Sequence, residues 1–281
     1  MSTAVTVAPR RRGVGHALTH GQGLAGVILV AVVVLLAVFG SLLTSYDPLA
    51  QIPGANLLGP NADHWLGTDN LNRDVAARLL AGIRIDLLIA IVAVPIGAVI
   101  GASVGLVATL NSVADVVAQR VFDVILAFPT LIFAIALAAI TGPGWHAVAI
   151  VIVAAEIPIF GRHIRTAVLA VREQPYVEAA EVIGANTWWT LRKHVLPNVI
   201  EPLSVQFALS LSIAVFVEGA MSFIGIGVRP PQPSLGSLIA ASVDNMDANP
   251  WMAIGPLTVV VALTLGFLLI AQALGRARRL A

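Results

Sequence analysis

Charged side chains are scarce in this chain, so each one inside an apolar stretch calls for a reason. Asp123, Glu156 and Glu218 stand in such stretches. A carboxylate there is costly unless it faces a cavity, a partner or a transported charge. Asp123 follows Arg120 by three residues, and helical neighbours at that spacing can satisfy one another. Glu156 lies six residues before Arg162 and off its helical face, so it reads either as pathway lining or as a partner for another subunit. Glu218 reads either as a support for the turn that begins at Gly219 or as a contact for a cationic amine. All three are candidates for a pathway or gate. Covalent and hydrolytic chemistry have no such candidates. There is no cysteine, which removes thiol nucleophiles, disulfides and thiolate metal sites. The six histidines show no His-Glu-x-x-His spacing, and His16 and His20 sit in an arginine-bearing tail that reads as solvated. The one lysine, Lys193, stands between Arg192 and His194, without the glycine-rich turn that a P-loop needs to hold phosphates. No catalytic residue, metal ligand or cofactor is expected.

A second constellation fits contact rather than catalysis. Between Tyr176 and Asn198 runs a polar stretch with two helical parts, flanked by apolar segments. Pro175 suits the first position of a helix that Glu178, Ala179, Ala180, Glu181, Val182 and Ile183 can continue. Gly184 can end it in a left-handed cap. Asn186 or Thr187 can cap a second helix through Leu196, which Pro197 discourages from continuing. Ala179 and Ala180 permit close approach by a partner, Glu178 offers a readable charge, and Trp188 and Trp189 are large anchors of the kind that dominate interfaces. An ordinary amphipathic connector would show the same residues.

The elements that must position these residues are membrane helices. The chain of 281 residues is 58% hydrophobic and 11% charged, against about 25% charged in soluble domains. A hydrocarbon core of about 30 Å needs roughly twenty apolar residues in a helix. Six segments qualify or nearly do: Leu24–Leu43, Leu87–Leu110, Val121–Ile140, Ala147–Gly161, Val199–Phe223 and Ala253–Leu274. The first follows Arg10, Arg11 and Arg12 and is long for a signal peptide, so it reads as a signal anchor. With the N-terminus in the cytosol, twelve Arg and Lys fall inside and four, Arg73, Arg78, Arg84 and Arg229, fall outside. The expected organisation is a cytosolic tail over residues 1–23, a six-span domain over 24–274 with its main cytosolic loop at 162–198, and a basic cytosolic tail over 275–281. The stretch from Asn70 to Arg84 has helical spacing with Arg73, Asp74 and Arg78 on polar positions, and is expected as a short amphipathic helix at the membrane surface. Pro95 and Pro129 are expected to free backbone carbonyls and to kink their spans or aid packing. Gly101 and Gly105 form a Gly-x-x-x-Gly that reads as close helix packing. A net charge of +1 makes no case for nucleic-acid binding.

The stretch Glu178-Ala179-Ala180 with Gly184 and Leu196-Pro197 resembles the ATPase-docking loop of ABC-transporter permeases. His194 departs from the general pattern but resembles the peptide-type members. Three further stretches are similar to the C-type permease of dipeptide and oligopeptide importers. They are His64–Asp69 with Arg73, Asp74, Arg78, Gly82 and Arg84; Glu218–Val228 with Pro230, Pro231, Pro233 and Ser234; and Pro250, Trp251 and Pro256. The similarity covers roughly Asn61 to Pro256, and Arg276, Arg278 and Arg279 replace the family's acidic ending. It implies an all-α, six-span permease like those of type I ABC importers, in a bacterial cytoplasmic (inner) membrane, forming half of a pathway for peptides. It also implies separate ATP-binding subunits, a homologous second permease and an extracytoplasmic solute-binding protein. Nickel or glutathione import is the alternative. An ion-coupled secondary transporter would show inverted repeats or broken midplane helices, and an intramembrane enzyme a nucleophile or metal set; neither pattern is visible.

Overall fold

The computed structural model describes residues 14–184, 186, 189, 192–193 and 196–279, apart from the side chains of residues 14, 178, 181, 198, 201, 278 and 279. The described residues form helices joined by loops, with no strand among them beyond an isolated bridge between Thr68 and Asp74. In chain order these are α1 (Val14–Thr19), α2 (Gly21–Leu43), α3 (Val75–Ala108), α4 (Ser112–Ala127), α5 (Thr130–Thr141), α6 (Trp145–Arg172), α7 (Pro175–Val182), α8 (Leu196–Phe223), α9 (Leu235–Ser242) and α10 (Trp251–Arg279). Five of them, α2, α3, α6, α8 and α10, are long and apolar enough to cross a membrane. The pair α4 and α5 reaches that length only jointly, and bends by 87° between its halves. Counting the pair as one span gives six.

Helix starts follow local chemistry. The Asp74 side chain accepts from Ala77 N at 2.7 Å and caps α3. Asn111 does the same for α4 through Val113 N and Ala114 N. Ser234 and Ser237 cap α9 reciprocally. Each satisfies backbone N–H groups that a helix start leaves without partners. The core lies between α3, α6, α8 and α10, where Ile83, Val94, Val148, Val151, Met221 and Leu263 are buried.

Close approach of α3 to α6 depends on glycine. A Cβ on Gly101 would strike the Ile157 carbonyl, and one on Gly105 the Gly161 carbonyl. One on Gly97 would meet the Glu156 Cβ at 2.5 Å. The expected packing role of the Gly101–Gly105 pair is therefore what the helices show, with Gly97 extending it by one turn. Bare backbone brings the helices into van der Waals contact, the main source of helix association in lipid.

Two expectations need correction. The surface helix over Asn70–Arg84 does not stand apart: its latter half is the first part of α3, whose 34 residues are about 51 Å long. Arg73, Asp74 and Arg78 are buried there rather than laid on the membrane. The third span is two helices, because Pro129 precedes α5 in extended backbone and ends the run, whereas Pro95 sits inside an unbroken α3. Residues 275–279 continue α10 as helix. Leu196 and Pro197 open the described part of α8, while the second helix expected from Asn186 or Thr187 to Leu196 falls mostly outside the described residues. Proline fits a first turn, where its missing N–H has no intrahelical carbonyl to serve. Helix α9 was not foreseen; its serine cap and eight residues are too short a signal beside the long apolar runs.

Candidate functional site

The contact constellation is built from α6 onwards. Helix α6 runs to Arg172, and Val177 N donating to Gln174 O at 2.9 Å starts α7 at Pro175, the position expected for that proline. On α7 Val177 and Ala180 are buried and Ala179 is exposed, so the two alanines do not share one face. At the end of the helix Val182 and Ile183 are more than 80% exposed, and in its first turn Tyr176 is 45% exposed. Glu178 lies in α7, with its side chain outside the description. Gly184 comes next, after Ile183, with φ +86°, the left-handed conformation that favours glycine, and nothing lies near where a Cβ would stand. Trp189 is about half exposed; Trp188 and His194 fall outside the described residues. Leu196 and Pro197 open α8, the first half-buried and the second exposed.

Behind this tip, charged contacts fasten α4 to α6. Arg165 donates from Nε to Asp115 Oδ1 at 2.5 Å and from Nη2 to Asp115 Oδ2 at 2.6 Å, a two-pronged pair. Asp123 accepts from Arg120 at 3.3 Å, as its spacing suggested, and also from Arg162 on α6. Arg172 donates to the Thr109 carbonyl at 2.9 Å, at the turn between α3 and α4. The pairing of Asp115 with Arg165 was not anticipated: fifty residues separate the partners, and only the approach of α4 to α6 joins them.

The two other acids are inside the bundle. Glu156 is 3% exposed and accepts from Ser210 Oγ on α8 at 2.6 Å, and Ser210 Oγ accepts in turn from Gln206 at 3.1 Å. Its partner is thus a neighbouring helix of the same chain. Glu218 is fully buried and accepts from Ser222 Oγ at 2.6 Å, while Ser222 Oγ accepts from Val228 N at 3.0 Å. This chain of bonds supports the turn after α8, the structural alternative at that residue. Asp86, not singled out by sequence, is buried within hydrogen-bonding reach of Glu218 and accepts Leu235 N at 2.9 Å, which fixes α9 against α3. Three elements therefore meet at two carboxyls, and Asp123, Glu156 and Glu218 are not gathered into one centre.

A polar cap covers the opposite end of the molecule from α7. Asp69 accepts from the Arg73 side chain at 2.8 Å and from two backbone N–H groups. Arg78 reaches the Pro48 carbonyl at 3.0 Å, and His64 Nδ1 lies 2.8 Å from Asp74 Oδ2. Asn249, just before α10, donates to the carbonyls of Leu58, Leu66 and Thr68. The loop between α2 and α3 is thereby clasped to the start of α10.

Known proteins fit this architecture. Residues 73–280 match the family model described as "Binding-protein-dependent transport system inner membrane component". The dipeptide transport system permease protein of Alkalihalophilus pseudofirmus is 33% identical over 269 residues, covering 95% of this chain and 88% of that protein. The glutathione transport system permease protein of Pectobacterium atrosepticum is 33% identical over 259 residues, covering 92% and 86%. A chain of the inward-facing MetNI methionine ABC transporter superposes with a TM-score of 0.59 at 19% identity, over 73% of this chain and 96% of that one, a likeness of fold. With its bundle, its bent span and a family match across most of its length, the chain belongs to the binding-protein-dependent transport system inner membrane components.

Proposed function

We propose that the chain is the membrane permease subunit of an ATP-driven peptide importer, forming half of the translocation pathway. The observation that carries this reading is the 33% identity to a dipeptide permease across 95% of the chain. Glutathione is the second reading, since a glutathione permease is as similar over nearly the same length. Both substrates are short peptides with free charged ends, so the bundle needs a passage more than a tight pocket; an extracytoplasmic binding protein does the selecting.

The α7 tip is the docking point for a separate ATPase, in keeping with the lack of a P-loop. Its exposed Val182 and Ile183 beside the Gly184 turn, with Tyr176 in the first turn, suit a groove on a partner. When the ATPase subunits close, α7 moves, α6 moves with it, and the Asp115–Arg165 and Asp123–Arg162 pairs carry α4 along. The outward apolar stripe of α4, Val113, Val117, Val121 and Val124, suits a second, homologous permease. Both chain ends and α7 lie in the cytosol, because this orientation places twelve of the sixteen Arg and Lys inside.

The test is uptake by cells lacking the chain. They should resist toxic di- and tripeptides and lose growth on peptides as a nutrient. Normal peptide uptake with loss of glutathione uptake selects the second reading, and normal uptake of both removes the proposal.

A further inference from the structure

A cavity of about 660 Å³ opens between the outer end of α2 and the first turns of α3. Its size is that of ordinary ligand sites, but its walls divide sharply. Leu80 and Ala81 form an apolar side, while Ser41, Thr44 and Ser45 line it with hydroxyls, and Arg84 and Asp47 stand in it as one cation and one anion. Among the described residues, Arg84 and Asp47 do not pair with each other, and no other carboxylate pairs with Arg84. Asp47 uses Oδ1 to accept Leu49 N at 2.7 Å, which fixes the carboxylate in place and leaves Oδ2 open to a ligand.

The depth of the cavity in the membrane can be read from its neighbours. Arg84 shares a helical face with Leu88, Ile91 and Val92, all about half exposed, and stands one turn above the first of them. At the end of α2 Ser41 stands among exposed Phe39, Leu42 and Leu43, and Thr44 and Ser45 follow them. Trp65, Trp145 and Trp251 are exposed at the same end of the bundle, as tryptophans are at the level of lipid head groups. The charged pair of the cavity therefore stands just above two lipid-facing stripes.

We propose that this crevice holds one phospholipid, its phosphate on the Arg84 guanidinium and hydroxyls, its ethanolamine ammonium on Asp47, and its acyl chains along α2 and α3. An unpaired cation and anion in one cavity match the two opposite charges of a zwitterionic head group. Guanidinium suits phosphate because its fork of donors matches two oxygens. That the leaflet is the outer one rests on the cytosolic placement of both chain ends; the binding itself does not.

The full chain, purified in mild detergent with the subunits that copurify, is examined by native mass spectrometry with added lipid. One equivalent of phosphatidylethanolamine should be retained, diacylglycerol should not, and millimolar inorganic phosphate should not displace the lipid. Arg84→Ala should lower occupancy about tenfold and Arg84→Lys much less. Asp47→Asn should keep binding but erase the preference for phosphatidylethanolamine over phosphatidylcholine. Should Arg84→Ala fold poorly, Ser41→Cys gives a reading with Arg84 intact, because the chain has no other cysteine: phosphatidylethanolamine should slow its reaction with a maleimide several-fold. Full occupancy in Arg84→Ala, equal retention of diacylglycerol, displacement by phosphate, or an unprotected Ser41→Cys would each overturn the proposal. None of these readings involves transport, so they stand or fall apart from the substrate.

Discussion

Gly184 is the residue on which the docking proposal is most exposed to test. Its φ of +86° has open space around it, so a side chain would clash with its own backbone rather than with neighbours. Gly184→Val should cost about 1–2 kcal/mol locally and re-aim the segment between α7 and α8. Together with Glu178→Lys it should leave abundance in the membrane near normal while abolishing uptake and releasing the ATPase, with Gln174→Ala as the mild control. Uptake beside an immunoblot and an ATPase pull-down decides it; wild-type uptake by both variants leaves only an amphipathic connector. Gly101 makes a contrasting case, since a side chain there meets the Ile157 carbonyl across the α3–α6 contact. Gly101→Val should lower the melting temperature and the yield of the solubilised protein, by a penalty of roughly 1–3 kcal/mol for overpacking. Unchanged melting would show that α3 and α6 can part at that point without cost. Both glycines were legible in the sequence, because a left-handed cap and a small-residue seam leave local patterns. The partners of Asp86, Glu156 and Asp115 were not legible, because an acid in an apolar setting announces only that it needs one; Leu235, Ser210 and Arg165 supply it from elements far away in the chain.

Elements were read best where hydrophobicity alone decides them. The helices α2, α3, α6, α8 and α10 each contain an apolar stretch long enough to cross a membrane. Misreading began where apolar and polar patterns overlap. The start of α3 has amphipathic spacing, but its polar face meets Pro48 and Asp69 rather than water, and periodicity cannot tell a cap of protein from a layer of solvent. Pro129 was expected to kink its span or to aid packing, and the 87° bend goes beyond a kink. The α4–α6 clamp gives the prediction at this scale. Asp115 and Arg165 are each partly exposed, so their pair should hold no more than about 1 kcal/mol of stability. If α4 follows α6 through it, Asp115→Arg should cut uptake several-fold with little change in melting temperature. The swapped pair Asp115→Arg with Arg165→Asp should restore much of the loss. Equal uptake by the single variant and the wild type would mean that apolar contacts alone couple the two helices.

For the molecule as a whole, orientation is the first thing to establish. Reporters active only outside the cytosol should be bright when fused at Asn61 and Ser234 and dark at Gln174 and at the C-terminus. A bright signal at Gln174 would put α7 out of reach of any ATPase. The purified chain should show no ATP hydrolysis above background without added subunits, and robust hydrolysis by the chain alone would refute the division of labour. The bent pair of helices also bears on how the molecule is made. At 16 and 12 residues, α4 and α5 are about 24 and 18 Å long, and neither crosses a core of about 30 Å unaided. The break at Phe128 and Pro129 leaves backbone groups that hydrocarbon cannot satisfy. Newly synthesised chain should therefore leave the insertion machinery with this one segment unsettled at the bilayer, and settle it only when a second subunit covers the elbow. Synthesis of the two subunits in matched amounts then becomes a condition for survival of this one, and a surplus of it should be short-lived in the cell.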